Sequence, residues 1–127
     1  MNLLNFAAIG LGAALGAWSR WLLGLALNSW CAALPLGTLA ANLIGGYLAG
    51  LAVGIFHDQT GISPTLRLFV LTGFLGGLTT FSTFSVETVE RFQNGTHTNA
   101  IALLALHLVG SLTMTWLGFL SANALRN

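Results

Sequence analysis

Phe81 and Phe84 stand three residues apart, which on a helix puts both rings on one face. An aromatic ring is negative over its faces and positive around its edge. Two ring edges turned into a narrow path therefore favour a small anion without a full countercharge. Asn42 would add amide N–H donors, and neighbouring serine and threonine hydroxyls would add more. The chain has no lysine, so no ammonium group holds an anion too firmly, and conduction needs sites that also release. The phenylalanines close the stretch GFLGGLTTFSTFS, Gly73 to Ser85, which interrupts an apolar segment with glycines and hydroxyls. Gly76-Gly77 permits the helix to unwind there. Freed carbonyls and half-helix ends at such a break can coordinate a monovalent cation.

Other polar residues recur at helical spacing. His107, Ser111 and Thr115 are four apart, as are Thr38 and Asn42. A serine or threonine in a membrane helix commonly bonds back to its own helix. Asn42 has no such local excuse, and His107 either bridges helices or serves a pathway. Arg20 falls inside an apolar run, where charge is functional, paired, or led to the interface by its long side chain. Glu87 and Arg91 are four apart in the favourable order, so a local ion pair competes with a pathway role for Glu87. No catalytic pattern is present: there is no GxSxG or HExxH, and His107 with Ser111 lacks an acid partner and an oxyanion site.

The elements that position these residues follow from composition. The 127 residues are 55% hydrophobic and 6% charged, with mean hydropathy +0.82. Soluble domains carry roughly a quarter charged residues, so an all-α integral membrane protein is expected. Four arginines and three acids, Asp58, Glu87 and Glu90, form no basic patch for a nucleic acid. The opening MNLLNFAAIG lacks the positive region of a cleaved signal peptide. Cys31 has no second cysteine to pair with.

A span needs about 20 apolar residues, and residues 3–27, 36–56, 66–92 and 98–122 qualify as four transmembrane helices in one domain. Pro35 and Pro64 suit first-turn positions, Ser63 an N-cap, Asn94-Gly95 a C-cap and turn, and Thr96 or Thr98 the cap of the fourth helix. At about 1.5 Å per residue the third helix has its midpoint near Thr79, so its break is expected at mid-membrane. Phe81 and Phe84 then lie roughly 3–8 Å beyond the centre, and Asn42 about 6 Å toward the same side. Gly46, Gly50 and Gly54, and likewise Gly12 and Gly16, make small-residue faces for close packing within a bundle or between copies.

Arg67 and Arg126 fall on one side of the membrane and Arg20 and Arg91 toward the other. An excess of Lys/Arg sets orientation, and two against two leaves none. Insertion both ways, with opposite copies pairing as an antiparallel homodimer, follows from that balance.

The motifs GAWSRW (Gly16–Trp21), GTLAANLIGG (Gly37–Gly46), GFLGGLTTFSTFS with Glu87 following, and GSLTMT (Gly110–Thr115) together resemble the Fluc/CrcB family of fluoride channels, over essentially the whole chain. The resemblance implies a dual-topology antiparallel dimer in a bacterial inner membrane, with two fluoride pores. It implies that Asn42, Phe81 and Phe84 line each pore, with a polar track through Thr38, Ser82, Glu87, His107 and Ser111. It implies a structural sodium ion held by the backbone carbonyls of Gly76 and Thr79 from both subunits, and Arg20 matches the family's first-helix arginine. The competing expectation is a proton-coupled antiporter of the small multidrug-resistance type. That chemistry needs an acid in the membrane, and the first helix carries Arg20 instead.

Overall fold

Each helix begins and ends where its terminal backbone groups find partners. In the computed structural model, which describes residues 2–57 and 59–126, Asn2 opens α1 (Leu3–Leu27) by accepting from the Leu4 N–H. A single 3₁₀ turn, Asn28–Trp30, follows. The Asn28 side chain then reaches forward to accept from Gly37 N at 2.8 Å, in the first turn of α2 (Leu36–His57). Pro35 stands one residue ahead of that helix, and its carbonyl accepts from Leu39 N. Ser63 caps the short α3 (Pro64–Arg67), with Pro64 in its first turn, as the sequence predicts. Asp58, one of the three acids, lies outside the described residues.

The third span is built from pieces. After α3 the chain widens into a π-helix over Leu68–Leu75 and tightens again in α4 (Gly76–Leu78). Thr79 and Thr80 are both extended, with φ/ψ of −84/153° and −152/119°. Helix α5 (Phe81–Gln93) then starts afresh, capped by the Thr80 hydroxyl on Thr83 N. Asn94 closes α5, and Gly95, at φ +76°, makes the turn. The last helix, α6 (His97–Arg126), runs four residues beyond the expected end at 122. Thr96 stands before it, although its hydroxyl donates back to Arg91 O instead of capping forward.

The expected unwinding at Gly76-Gly77 is corrected. Both glycines are helical, and the interruption is confined to Thr79–Thr80. Gly77 serves proximity instead, as does Gly73 a turn earlier: a Cβ on Gly77 would meet the Ala13 carbonyl, and one on Gly73 the Ile9 carbonyl. From the other side, Gly12 and Gly16 meet the backbone of Phe69 to Leu78. Two helices thus approach backbone to backbone, α1 against the π-helix and α4. A second such seam joins α2 to α6, where Gly46, Gly50 and Gly54 face Ser111, Thr115 and Ala122, and Gly118 faces Tyr47 and Leu51. The two small-residue faces are therefore spent inside the bundle, where dispersion and close packing act without a solvent-driven hydrophobic force.

Among the described residues every regular element is helical, and four stretches are long and apolar enough to cross a membrane: Leu3–Trp30, Leu36–His57, Pro64–Gln93 and His97–Arg126. The protein is a multi-pass membrane protein. Its outer face agrees with that: Phe6, Leu11, Trp18, Trp21, Leu112 and Trp116 are all exposed.

The seams make a direct prediction. Gly16→Ala, whose methyl would collide with Phe74 O and Leu78 N, should destabilise the protein by about 1–3 kcal/mol. Gly10→Ala, with nothing within 4 Å, should be neutral or stabilise by about 0.5–1 kcal/mol. Denaturant titration of the two variants in detergent checks the contrast.

Candidate functional site

Two extended residues inside an apolar bundle leave main-chain groups without their helical partners, and such groups must be satisfied internally. Two side chains from other helices do this. Asn42, in α2, faces Thr80 edge to edge: its Oδ1 accepts from Thr80 N at 2.8 Å and its Nδ2 donates to Thr80 O at 3.0 Å. The amide thus replaces a neighbouring strand for one residue. Arg20, in α1, donates from Nε to Gly77 O at 3.2 Å, at the end of α4. This resolves its role as a paired arginine: a cation at a helix C-terminus also opposes the negative end of the helix dipole.

The remaining Nδ2 proton of Asn42 meets His107 Nδ1 at 3.0 Å. His107 is buried and lies flat against Phe84, with ring centroids 4.4 Å apart and planes at 25°. Phe84 in turn meets Phe81 nearly edge-on, at 5.5 Å and 70°. A row of contacts therefore runs from the broken backbone through Asn42 and His107 to the two phenylalanines. Phe84 is buried, whereas Phe81 is 73% exposed on the open side of the break. Both protons of the Asn42 amide are engaged, so neither is free for an anion until one bond opens.

These residues border an open cleft of about 620 Å³. Gly76, Thr79 and Thr80 form its broken wall, Phe81, Phe84 and His107 one flank, and Asn42, Ser111 and apolar residues of α2, α6 and the π-helix the rest. Ser111 lies one turn beyond His107 on α6. Thr115, a turn further, donates back to Ser111 O at 2.9 Å, the local bond that a membrane threonine ordinarily makes. Ser82 is exposed beside the break, 3.3 Å from the Thr80 hydroxyl, and is not part of the cleft wall.

On the other side of Asn42, one turn back along α2, Thr38 is buried and donates to Glu87 Oε1 at 2.7 Å. Glu87 Oε2 is buried without a partner. The expected local ion pair gives way here. Arg91 donates to the main-chain carbonyl of Glu87 at 2.7 Å and to Ala33 O at 3.0 Å, tying α5 to the segment between α1 and α2. Arg67 does the same at the opposite end, where it donates to Phe56 O and, at 3.2 Å, to Gln59 O. Each arginine closes the carbonyl end of a nearby turn, and helix spacing alone does not reveal such distant acceptors. The Asn42–His107 bond, 65 residues apart in sequence, was equally hidden.

The family model described as "CrcB-like protein, Camphor Resistance (CrcB)" matches residues 7–119. The chain belongs to the CrcB family. A family relative from Dechloromonas aromatica, named fluoride-specific ion channel FluC, is 64% identical over 126 residues, covering 99% of this chain and 93% of its own. CrcB relatives from Ralstonia pickettii and Nitrosospira multiformis carry the same name, at 56% and 54% identity, each covering 94% of its own length. These are names of ion channels, a function without catalysis. No CrcB relative here carries an antiporter's name, so the competing expectation gains no support.

The pairing of Asn42 with the break predicts a local defect. Asn42→Leu leaves the Thr80 N–H and C=O unmet, at a cost of about 1–3 kcal/mol each. The Thr80 amide should exchange with solvent deuterium markedly faster in that variant, while amides of α6 keep their protection; unchanged exchange at Thr80 would contradict the pairing.

Proposed function

We propose that the protein is a fluoride-specific ion channel that carries the anion out of the cell passively, in a bacterial inner membrane. The observation that carries this reading is the Phe81–Phe84 pair, joined through His107 to Asn42 beside an open cleft. Ring edges and N–H groups supply weak positive potential without a fixed cation, which suits passage over retention. The printed names of the relatives support the choice of ion. Hydrogen fluoride enters a cell as a neutral molecule and ionises inside, which traps the anion. An inside-negative potential then drives fluoride outward with about 2.3 kcal/mol per 100 mV, so neither ATP nor a proton gradient is required.

The working unit in this reading is an antiparallel homodimer with two pores. The cleft supports it, since one copy leaves it open with Phe81 on its rim. Asn42, Phe81 and Phe84 line each pore, and Thr38, Ser82, Glu87, His107 and Ser111 extend it. Arg20 acts through the break instead of touching the ion.

A central sodium ion belongs to the same reading, and the residues fit it. In an α-helix the Gly76 carbonyl would accept from the N–H four residues on, that of Thr80. That N–H is spent on Asn42. The Gly76 carbonyl is thereby released at an exposed position of the cleft wall, with Thr79 beside it. Carbonyl oxygens are the donors a hard cation takes, and among the described residues no cluster of His, Cys, Asp or Glu offers a competing metal site. The ion would supply fixed positive charge and bind two copies together.

Purified protein in liposomes, with potassium ionophore setting the potential and a fluoride electrode recording efflux, tests the function. Fluoride should leave without a proton gradient, and chloride should be excluded. Proton movement coupled to a cationic drug, with no passive fluoride flux, would overturn the reading. Phe81→Ile should lower fluoride flux roughly two- to tenfold, the worth of an aromatic contact, with the dimer intact by cross-linking. Replacing sodium with N-methylglucamine should lower the dimer's thermal stability, and the loss should reverse when sodium returns; indifference to sodium would remove Gly76 and Thr79 as ligands.

A further inference from the structure

The tautomer of His107 follows from the backbone by a chain of forced choices. A main-chain N–H can only donate and a main-chain carbonyl can only accept. Thr80 presents one of each to Asn42, at 2.8 Å and 3.0 Å. The amide therefore has a single orientation, with Oδ1 on the N–H and Nδ2 on the carbonyl. Nδ2 carries only donors, and its second proton points to His107 Nδ1 at 3.0 Å. Nδ1 must then be the bare, accepting nitrogen. A neutral imidazole with a bare Nδ1 carries its proton on Nε2.

Nε2 is buried and has no hydrogen-bond partner. The whole His107 side chain is 4% exposed, yet it belongs to the cleft wall and lies against Phe84. A buried donor left unmet costs about 1–3 kcal/mol, and such a group in a native fold calls for an explanation. Asn42 cannot provide the donor at this level, because both of its amide protons are taken.

We propose that Thr80, acting through Asn42, locks His107 as the Nε2–H tautomer, and that this N–H is a hydrogen-bond donor to the permeating fluoride. This rests on the channel reading above and deepens it. Asn42 becomes a positioning residue whose orientation is set by the helix break. His107 becomes the residue that touches the ion. The break thus determines which protons the pathway offers, although the backbone at Thr80 contributes none itself. Fluoride, a compact acceptor without a proton, is matched by a lone N–H donor on a ring held against Phe84. Its desolvation is offset there by a fixed dipole and not by a counterion, so release stays possible.

Nitrogen NMR of the intact protein, labelled with ¹⁵N-histidine and held in lipid nanodiscs at alkaline pH, reads the tautomer directly. Without fluoride, His107 should show a protonated Nε2 and a bare Nδ1, and Asn42→Leu should abolish that preference. Sodium fluoride should move the Nε2 signal, whereas equal sodium chloride should not. A protonated Nδ1 in the wild-type protein would overturn the locking. An Nε2 signal indifferent to fluoride would overturn the donor role and assign the proton to water or to no ligand.

Flux measurements give a second arm. His107→Phe keeps a ring against Phe84 and removes both nitrogens, so fluoride flux should fall by about tenfold, the scale of one lost hydrogen bond. His107→Gln returns an N–H near the Nε2 position and should restore most of the flux. His107→Asn reaches only the Nδ1 position and should not. Rescue by Asn and not by Gln would reduce His107 to an acceptor for Asn42 and overturn the proposal. The NMR arms read tautomer and fluoride contact without transport, so a protein that carries no fluoride would overturn the channel reading separately.

Discussion

One side chain makes the rest of the architecture possible: the amide of Asn42 laid against the main chain of Thr80. A helix interrupted in an apolar interior exposes groups that water cannot reach, and each costs several kcal/mol if unmet. Asn42 meets the N–H and the carbonyl of one residue at once. Arg20 meets a carbonyl on the preceding turn. With those groups closed, the chain can leave the helix for two residues and re-enter it at Phe81. The broken cleft wall and the exposed Phe81 both lie at that excursion.

The break also needs rigid neighbours. Glycine seams on both sides of the bundle bring α1 against the π-helix and α4, and α2 against α6, at close range. Close approach fixes the height of Asn42 and Arg20 relative to the third span. A polar side chain held at an adjustable height would lose its hydrogen bonds to small slips, because those bonds weaken steeply with distance and angle. A π-helix of eight residues, Leu68–Leu75, lies along one of these seams, and π segments commonly mark functional regions.

Much of this was legible in the sequence, for reasons tied to single residues. Helix α1 ends where the apolar run ends. Ser63-Pro64 and Asn94-Gly95 announce their boundaries by local chemistry, which neighbouring helices do not alter. A shared depth for Asn42 and the phenylalanines followed from counting residues, since a helix rises evenly. What stayed hidden depended on the second partner. Gly76-Gly77 reads as flexibility until Ala13 is placed against Gly77. Glu87 and Arg91 read as an ion pair until Thr38 and Ala33 arrive from elsewhere in the chain.

The distances in sequence between the break and its supports bear on how the chain is made. Asn42 precedes Thr80 by 38 residues, and Arg20 precedes Gly77 by 57. During synthesis the first two spans therefore enter the bilayer carrying an amide and a guanidinium with nothing to bind. The third span later arrives with the complementary gaps in its ladder. Neither half is comfortable in lipid by itself, and each relieves the other on contact. The polar groups of the first two spans and the gaps in the third are thus complementary parts that lie far apart in the order of synthesis.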